Sequence, residues 1–301
     1  MSPRFPNSNH FCRKATNGTS ISLDGSDPKT GDFDKDVGIT ACGFQVISFE
    51  SQIYIIGGEF GLGRGRWNNK VWKYDTFQSK WENAFDLDVS RRHHTLAIDN
   101  GSIFIIGGFG RHRVILNLVE KYDIKKDTIE TILSLPDPMY NVAACFASDK
   151  LYVLKDPTNC LVYNNKKWVP GLKHVKFTNN FEFNSASAYQ NYLYFTGKFN
   201  SSLYRCPLIA ESDAPKVEAE LVGKFKSECQ NICLVEDKIY NFSSDQFDHH
   251  STIEVYDLTN RDFKLVYESN DEELDFSPYY SFGCFPLMLY PRYKLPKVGE
   301  N

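Results

Sequence analysis

The stretch SQIYIIGGEF at residues 51–60 returns about fifty residues later as GSIFIIGGFG at 101–110. A self-similar chain is bound more tightly by its period than by its composition. Each repeat is one small module that can bury its apolar face only against the next. The aliphatic–aromatic pair at the heart of the copy recurs as Ile53-Tyr54, Ile103-Phe104, Leu151-Tyr152, Leu193-Tyr194 and Ile239-Tyr240, and Tyr290 stands where a sixth is due. Successive steps of about 42 to 50 residues match the blades of a propeller.

A second element follows each pair: VWKYD at 71–75, VEKYD at 119–123, CLVYN at 160–164, SLYR at 202–205 and IEVYD at 253–257. A third is a lone apolar or aromatic residue shortly afterwards, at Trp81, Ile129, Trp168 and Phe263. A short apolar run such as TLAID or NVAACFA precedes each pair, so every unit offers four short strands separated by turn-forming residues. Composition agrees: 17 Tyr and 23 Phe against 3 Met favour a pleated surface, where flat side chains pack well. Seven residues before the aromatic of the second to fifth units stand Ala97, Cys145, Ser187 and Cys233, all small. The eight cysteines contain no CxxC pair, and they read as packing residues, not as disulfide partners or metal ligands.

Paired glycines closing the second strand, Tyr-Asp on the third and Trp on the fourth resemble the kelch repeat. Gly57-Gly58 and Gly107-Gly108 match it in full, whereas Lys155-Asp156, Gly197-Lys198 and Ser243-Ser244 hold that place in later units. The resemblance covers roughly residues 40 to 290. It implies an all-β fold, a six-bladed kelch β-propeller forming one domain over 1–301. Blades 1 to 5 are expected at 40–90, 91–140, 141–180, 181–228 and 229–278. The sixth is expected to be closed by strands from both termini, its inner pair within 279–294 and its outer pair within 1–30, where an Asn-Gly turn separates NHFCRKA from SISLDG. Such a closure would leave no open sheet edge.

The same resemblance carries the functional expectation. Kelch propellers are mostly non-catalytic binding platforms, and this pattern is most similar to the propellers of kelch-repeat and BTB-domain-containing proteins. Those families act as substrate adaptors of cullin-3 ubiquitin ligases, with the propeller holding a protein substrate or degron peptide. BTB and BACK domains, through which cullin-3 is reached, are absent from this sequence, so the resemblance implies the propeller portion of a larger protein. The alternative is an actin or scaffold binder. No GxSxG, HExxH or Walker A motif occurs, no cofactor is expected, and the glycines of GGEFGLGRGRW open no helix that could hold phosphate. A formal net charge of −4 argues against a nucleic-acid binder, and no apolar run approaches the roughly 20 residues of a membrane helix. The first residues, MSPRFPNSNH, lack the apolar core of a signal peptide, which gives a cytoplasmic expectation.

A partner site can be placed by loop position. Loops after the second and fourth strands should share one face, and they gather Arg64, Arg66, Trp67, Arg91, Arg92, His93, Arg111, His112, Arg113 and Tyr140 on one side. Acids collect on the other, at Asp245, Asp248, Glu268, Asp271, Glu272, Glu273 and Asp275. A face divided in this way would orient a partner of acidic character, with arginine forks gripping carboxylates and Trp67 as an anchor. The alternative for these arginines is a solvated surface, with Arg91 or Arg92 bracing the blade junction; His94, at the start of an inner strand, reads as structural.

Overall fold

The computed structural model describes residues 41–60, 66–78, 80–173, 175–177, 181–208, 217–245 and 250–269. They form five four-stranded sheets, each antiparallel and each running in chain order from inside to outside. Blade 1 consists of Gln45–Phe49, Gln52–Ile56, Lys70–Asp75 and Lys80–Asp86. Blade 2 follows with Thr95–Asp99, Ser102–Ile106, Val119–Asp123 and Thr128–Thr131. Blade 3 is Ala143–Ala147, Lys150–Leu154, Cys160–Asn164 and Lys167–Pro170. Blade 4 is Phe183–Tyr189, Tyr192–Gly197, Ser202–Pro207 and Glu220–Lys224. Blade 5 is Asn231–Val235, Lys238–Asp245, His250–Asp257 and Asp262–Ser269.

First strands of successive blades lie side by side, 1 against 2 through to 4 against 5, as in a propeller. They line a central cavity of about 990 Å³. The five blades are those of the described residues; the strands expected to complete a sixth, within 1–30 and 279–294, lie outside them.

The second strands of blades 1 to 3, QIYII, SIFII and KLYVL, read as apolar runs because both of their faces are covered. Ile103 and Ile105 point back into the cluster shared with Tyr54 and Ile56 of blade 1. Phe104 and Ile106 point forward into the cluster shared with Leu151 and Val153 of blade 3. Burial of each such side chain contributes about 1.5–3 kcal/mol. The small residues singled out by spacing do occupy one register position, Ala97 facing Phe104, Cys145 facing Tyr152, Ser187 facing Tyr194 and Cys233 facing Tyr240. The outer aromatics are register partners of the third-strand tyrosines, with ring centroids 4.8 Å apart for Tyr74–Trp81, 4.9 Å for Tyr163–Trp168 and 4.6 Å for Tyr256–Phe263.

Blade 4 departs from the sequence alignment. The SLYR match would put Tyr204 at the tyrosine position, but Leu193 pairs with Cys206, as Ile53 pairs with Tyr74. Cys206 therefore holds that place, and Tyr204 lies two residues earlier, stacked on Phe195 at 5.8 Å. A register shift between Leu203 and Tyr204 on the outer side accompanies the change.

The glycine pairs explain how one blade is joined to the next. Gly57, Gly58, Gly107 and Gly108 have φ of +67°, +101°, +58° and +98°. At these values a Cβ is strained, and the next connection passes directly overhead. A Cβ on Gly107 would lie 2.2 Å from the carbonyl oxygen of Met139, and one on Gly57 would lie 2.5 Å from that of Arg91. The close approach is used: Gly58 N–H donates to the Arg91 carbonyl and Gly108 N–H to the Met139 carbonyl, each at 2.8 Å. Arg91 and Met139 both stand four residues before an inner strand, so they are equivalent positions of two repeats.

Candidate functional site

The ends of the second strands and the connections entering the first strands meet at one end of the channel. The longest of these loops, after Ile56, folds into a small sheet in which Glu59–Phe60 pairs with Ala41–Cys42 on one side and Arg66–Trp67 on the other. It sets Trp67 beside Arg92, whose guanidinium lies 6.0 Å from the indole centre. Arg92 also pairs with the buried Glu59 carboxylate at 3.0 Å and exchanges backbone hydrogen bonds with Phe109 at 3.0 and 2.7 Å. Phe109 is the hub. Its ring meets His93 edge-on at 6.2 Å and Tyr140 at 4.2 Å, and its backbone bridges to Ile115.

Beyond Phe109, Arg111–Arg113 forms a tight turn, with His112 and Arg113 at φ of +56° and +59°, that lifts three basic side chains into solvent. Val114, 56% exposed, and Ile115 continue the tip, and Tyr140 stands exposed beside them. The result is a contiguous platform on blades 1 and 2 that is apolar at its centre and basic around it. Such a surface can pack an apolar side chain while arginines hold carboxylates at its rim.

Of the residues grouped by loop position, Arg92, His93, Arg111, His112, Arg113 and Tyr140 lie together here, and Arg91 does not. Arg91 is wholly buried, so it is corrected from a partner contact to a brace between blades 1 and 2. It donates to the carbonyls of Gly107 and Leu118, both at 3.2 Å, and forms a buried ion pair with Glu120. Burial draws the guanidinium below its usual value, and the Glu120 charge opposes that pull. Arg92 and His93 are half-buried supports of the platform, whereas Arg111, His112 and Arg113 are exposed. Arg64 and the side chain of Arg66 lie outside the described residues. Phe109, Val114 and Ile115 were missed, although an apolar pair directly after a basic loop tip was the available signal.

Of the acids expected opposite, Glu268 is engaged by His250 at 2.8 Å and Asp245 ends a strand, while Asp248 and 271–275 lie outside the described residues. The described cysteines are free thiols, and burial pushes Cys145, Cys160 and Cys206 up to about 12, which keeps them protonated and inert. His94 is buried with neither ring nitrogen hydrogen-bonded. Burial, then Arg91 and His93, hold it well below the ordinary histidine range.

The Kelch motif family matches residues 40–84 and 90–128, the first two blades. An F-box/kelch-repeat protein of Arabidopsis thaliana is 30% identical over 125 residues, 41% of this chain and 33% of the relative. Kelch-like protein 6 of Homo sapiens is 30% identical over 112 residues, 37% of this chain and 17% of the relative. Alpha-scruin of Limulus polyphemus is 29% identical over 110 residues, 35% of this chain and 12% of the relative. The matches thus span a third or less of these relatives' lengths. With motif, strand order and blade-to-blade packing in agreement, the chain is a kelch-repeat β-propeller.

Proposed function

We propose that this propeller captures a protein partner on the blade 1–2 platform and serves as the substrate-recognition module of a cullin-3 ubiquitin ligase adaptor, without catalysis of its own. The observation that carries the binding site is the exposed tip Arg111–Ile115 set against the Phe109–Tyr140 pair. Exposed arginines beside an aromatic pair form the type of surface from which binding hot spots are built. The Kelch-like relatives and the resemblance to BTB-containing adaptors favour the ligase role; the F-box/kelch-repeat relative attaches the same repeat to a different companion domain. The partner is an acidic segment of a protein, met in the cytoplasm.

Replacing Arg111, Arg113 and Tyr140 together by Ala tests the site. Partner capture is expected to fall by at least about tenfold with the melting temperature unchanged, because none of the three is buried. Equal capture by variant and wild type would move the site elsewhere. Co-purification of cullin-3 with the full-length parent tests the ligase role. Actin co-sedimentation of the propeller in its absence would favour a cytoskeletal binder.

A further inference from the structure

We infer that the segment held by the blade 1–2 platform continues across the channel mouth and seats an aliphatic or aromatic side chain on Phe199. The inference rests on the protein-binding reading above and extends it to a second anchor. Phe199 lies in the loop between the second and third strands of blade 4 and is 89% exposed. Its φ is +53°, in the left-handed region, where a bulky side chain is strained and glycine or asparagine is far better tolerated. The residue therefore costs the fold twice, in backbone strain and in exposed apolar area. Observed strain of this type points to function.

The loop is also held firmly. On one side, Lys198 N–H donates to the Glu182 carbonyl at 3.0 Å and the Lys198 ammonium pairs with the Glu182 carboxylate at 2.9 Å. On the other, the Asn200 carbonyl accepts from Cys229 N–H at 2.9 Å, and its side chain accepts from Ser202 N–H at 2.7 Å. The ring is thus presented from a clamped loop, so little ordering remains to be done on binding. The neighbouring Lys198–Glu182 pair leaves no net charge to repel an apolar group. Phe199 lines the same central cavity as Arg92 and His93, the two residues that support the platform from below. Charge complementarity fixes the occupant: an extended protein segment with acidic residues toward Arg111 and Arg113 and an apolar residue toward Phe199.

Phe77 supplies an internal control. It is 72% exposed but sits in the turn between the third and fourth strands of blade 1, where Asp75 caps its N–H at 2.8 Å, and it does not line the cavity. Random sixteen-residue peptides displayed on phage would be panned against the full chain, and the enriched peptides measured by fluorescence anisotropy. The expected result is acidic peptides carrying one apolar residue, weakened about tenfold by Phe199→Ser, weakened similarly by Arg111→Ala/Arg113→Ala, and unaffected by Phe77→Ser. Full affinity in Phe199→Ser with loss in the arginine variant would overturn the second anchor and leave the platform standing. Full affinity in both variants, or no enrichment, would overturn both.

Discussion

Two neighbouring junctions, between blades 1 and 2 and between blades 2 and 3, share one backbone frame and differ in what fills it. In each, a glycine N–H bonds the carbonyl of the connection ahead at 2.8 Å. The side chain at that connection is Arg91 in the first and Met139 in the second, both almost without exposure. Arg91 meets Glu120, whereas at the position equivalent to Glu120 the next blade has Leu161, packed in the same apolar cluster as Met139. The junction between blades 4 and 5 offers a third solution: Glu254, again at the Glu120 position, accepts the backbone N–H groups of Lys226 and Ser227 at 2.8 and 3.0 Å. Geometry is therefore set by the main chain, and the filling is free to be ionic, apolar or mixed. A buried ion pair is weak grounds for stability, because desolvation offsets most of the attraction. Its loss by halves is another matter.

The largest effect should come from Arg91→Ala, which strands the Glu120 carboxylate in the interior. A loss of about 3–5 kcal/mol is expected by denaturant titration. The double variant Arg91→Met/Glu120→Leu, which copies the filling of the next junction, should recover most of that loss. Failure to recover would show that the two junctions are not interchangeable. Next, Gly107→Ala attacks the shared frame itself by driving a Cβ against the Met139 carbonyl at positive φ. It should cost about 2–4 kcal/mol, the range of a severe single lesion, and an unchanged melt would break the frame argument.

Acidification is a gentler probe of the first junction. The folded-state pKa of His94 is depressed by burial, Arg91 and His93, so the unfolded chain binds the proton more readily. Stability should fall as pH drops below the unfolded histidine value near 6.5, with His93 contributing in the same direction. Melting temperatures from pH 7.5 to 5 should therefore decline in wild type and decline less in His94→Leu; identical slopes would remove His94 from the account. The smallest effect belongs to Arg205→Ala. Its pair with Glu220, at 2.7 Å, is the exposed counterpart of Arg91–Glu120 and should be worth less than about 1 kcal/mol. A loss as large as that of Arg91→Ala would mean that burial does not decide between them.

Sequence alone revealed what repeats and hid what pairs at a distance. Second strands, third-strand tyrosines and the outer Trp81 and Trp168 were legible because each repeat needs them in the same register. Arg91 was grouped with the partner-facing loop arginines because its own partner is 29 residues away. The signal was present: a glutamate at 120 occupies a register position where neighbouring repeats have Trp72 and Leu161. Blade 4 was misaligned because Tyr204 of SLYR looks like the third-strand tyrosine until Cys206 is seen facing Leu193. Phe109 was missed because its place in the site depends on backbone bridges to Arg92 and Ile115 that no side-chain pattern encodes.

The latch between a second strand and the connection beyond it divides the molecule's loops into two kinds. A connection that enters an inner strand belongs to two sheets at once, so lengthening it would unhook one blade from its neighbour. A loop from second to third strand is latched to that connection only near its base, and its tip is free to lengthen: the blade 1 loop carries two short strands, Glu59–Phe60 and Arg66–Trp67, while its sheet keeps the four-stranded order of the other blades. New binding specificities in such a chain should therefore accumulate at the second kind and spare the first.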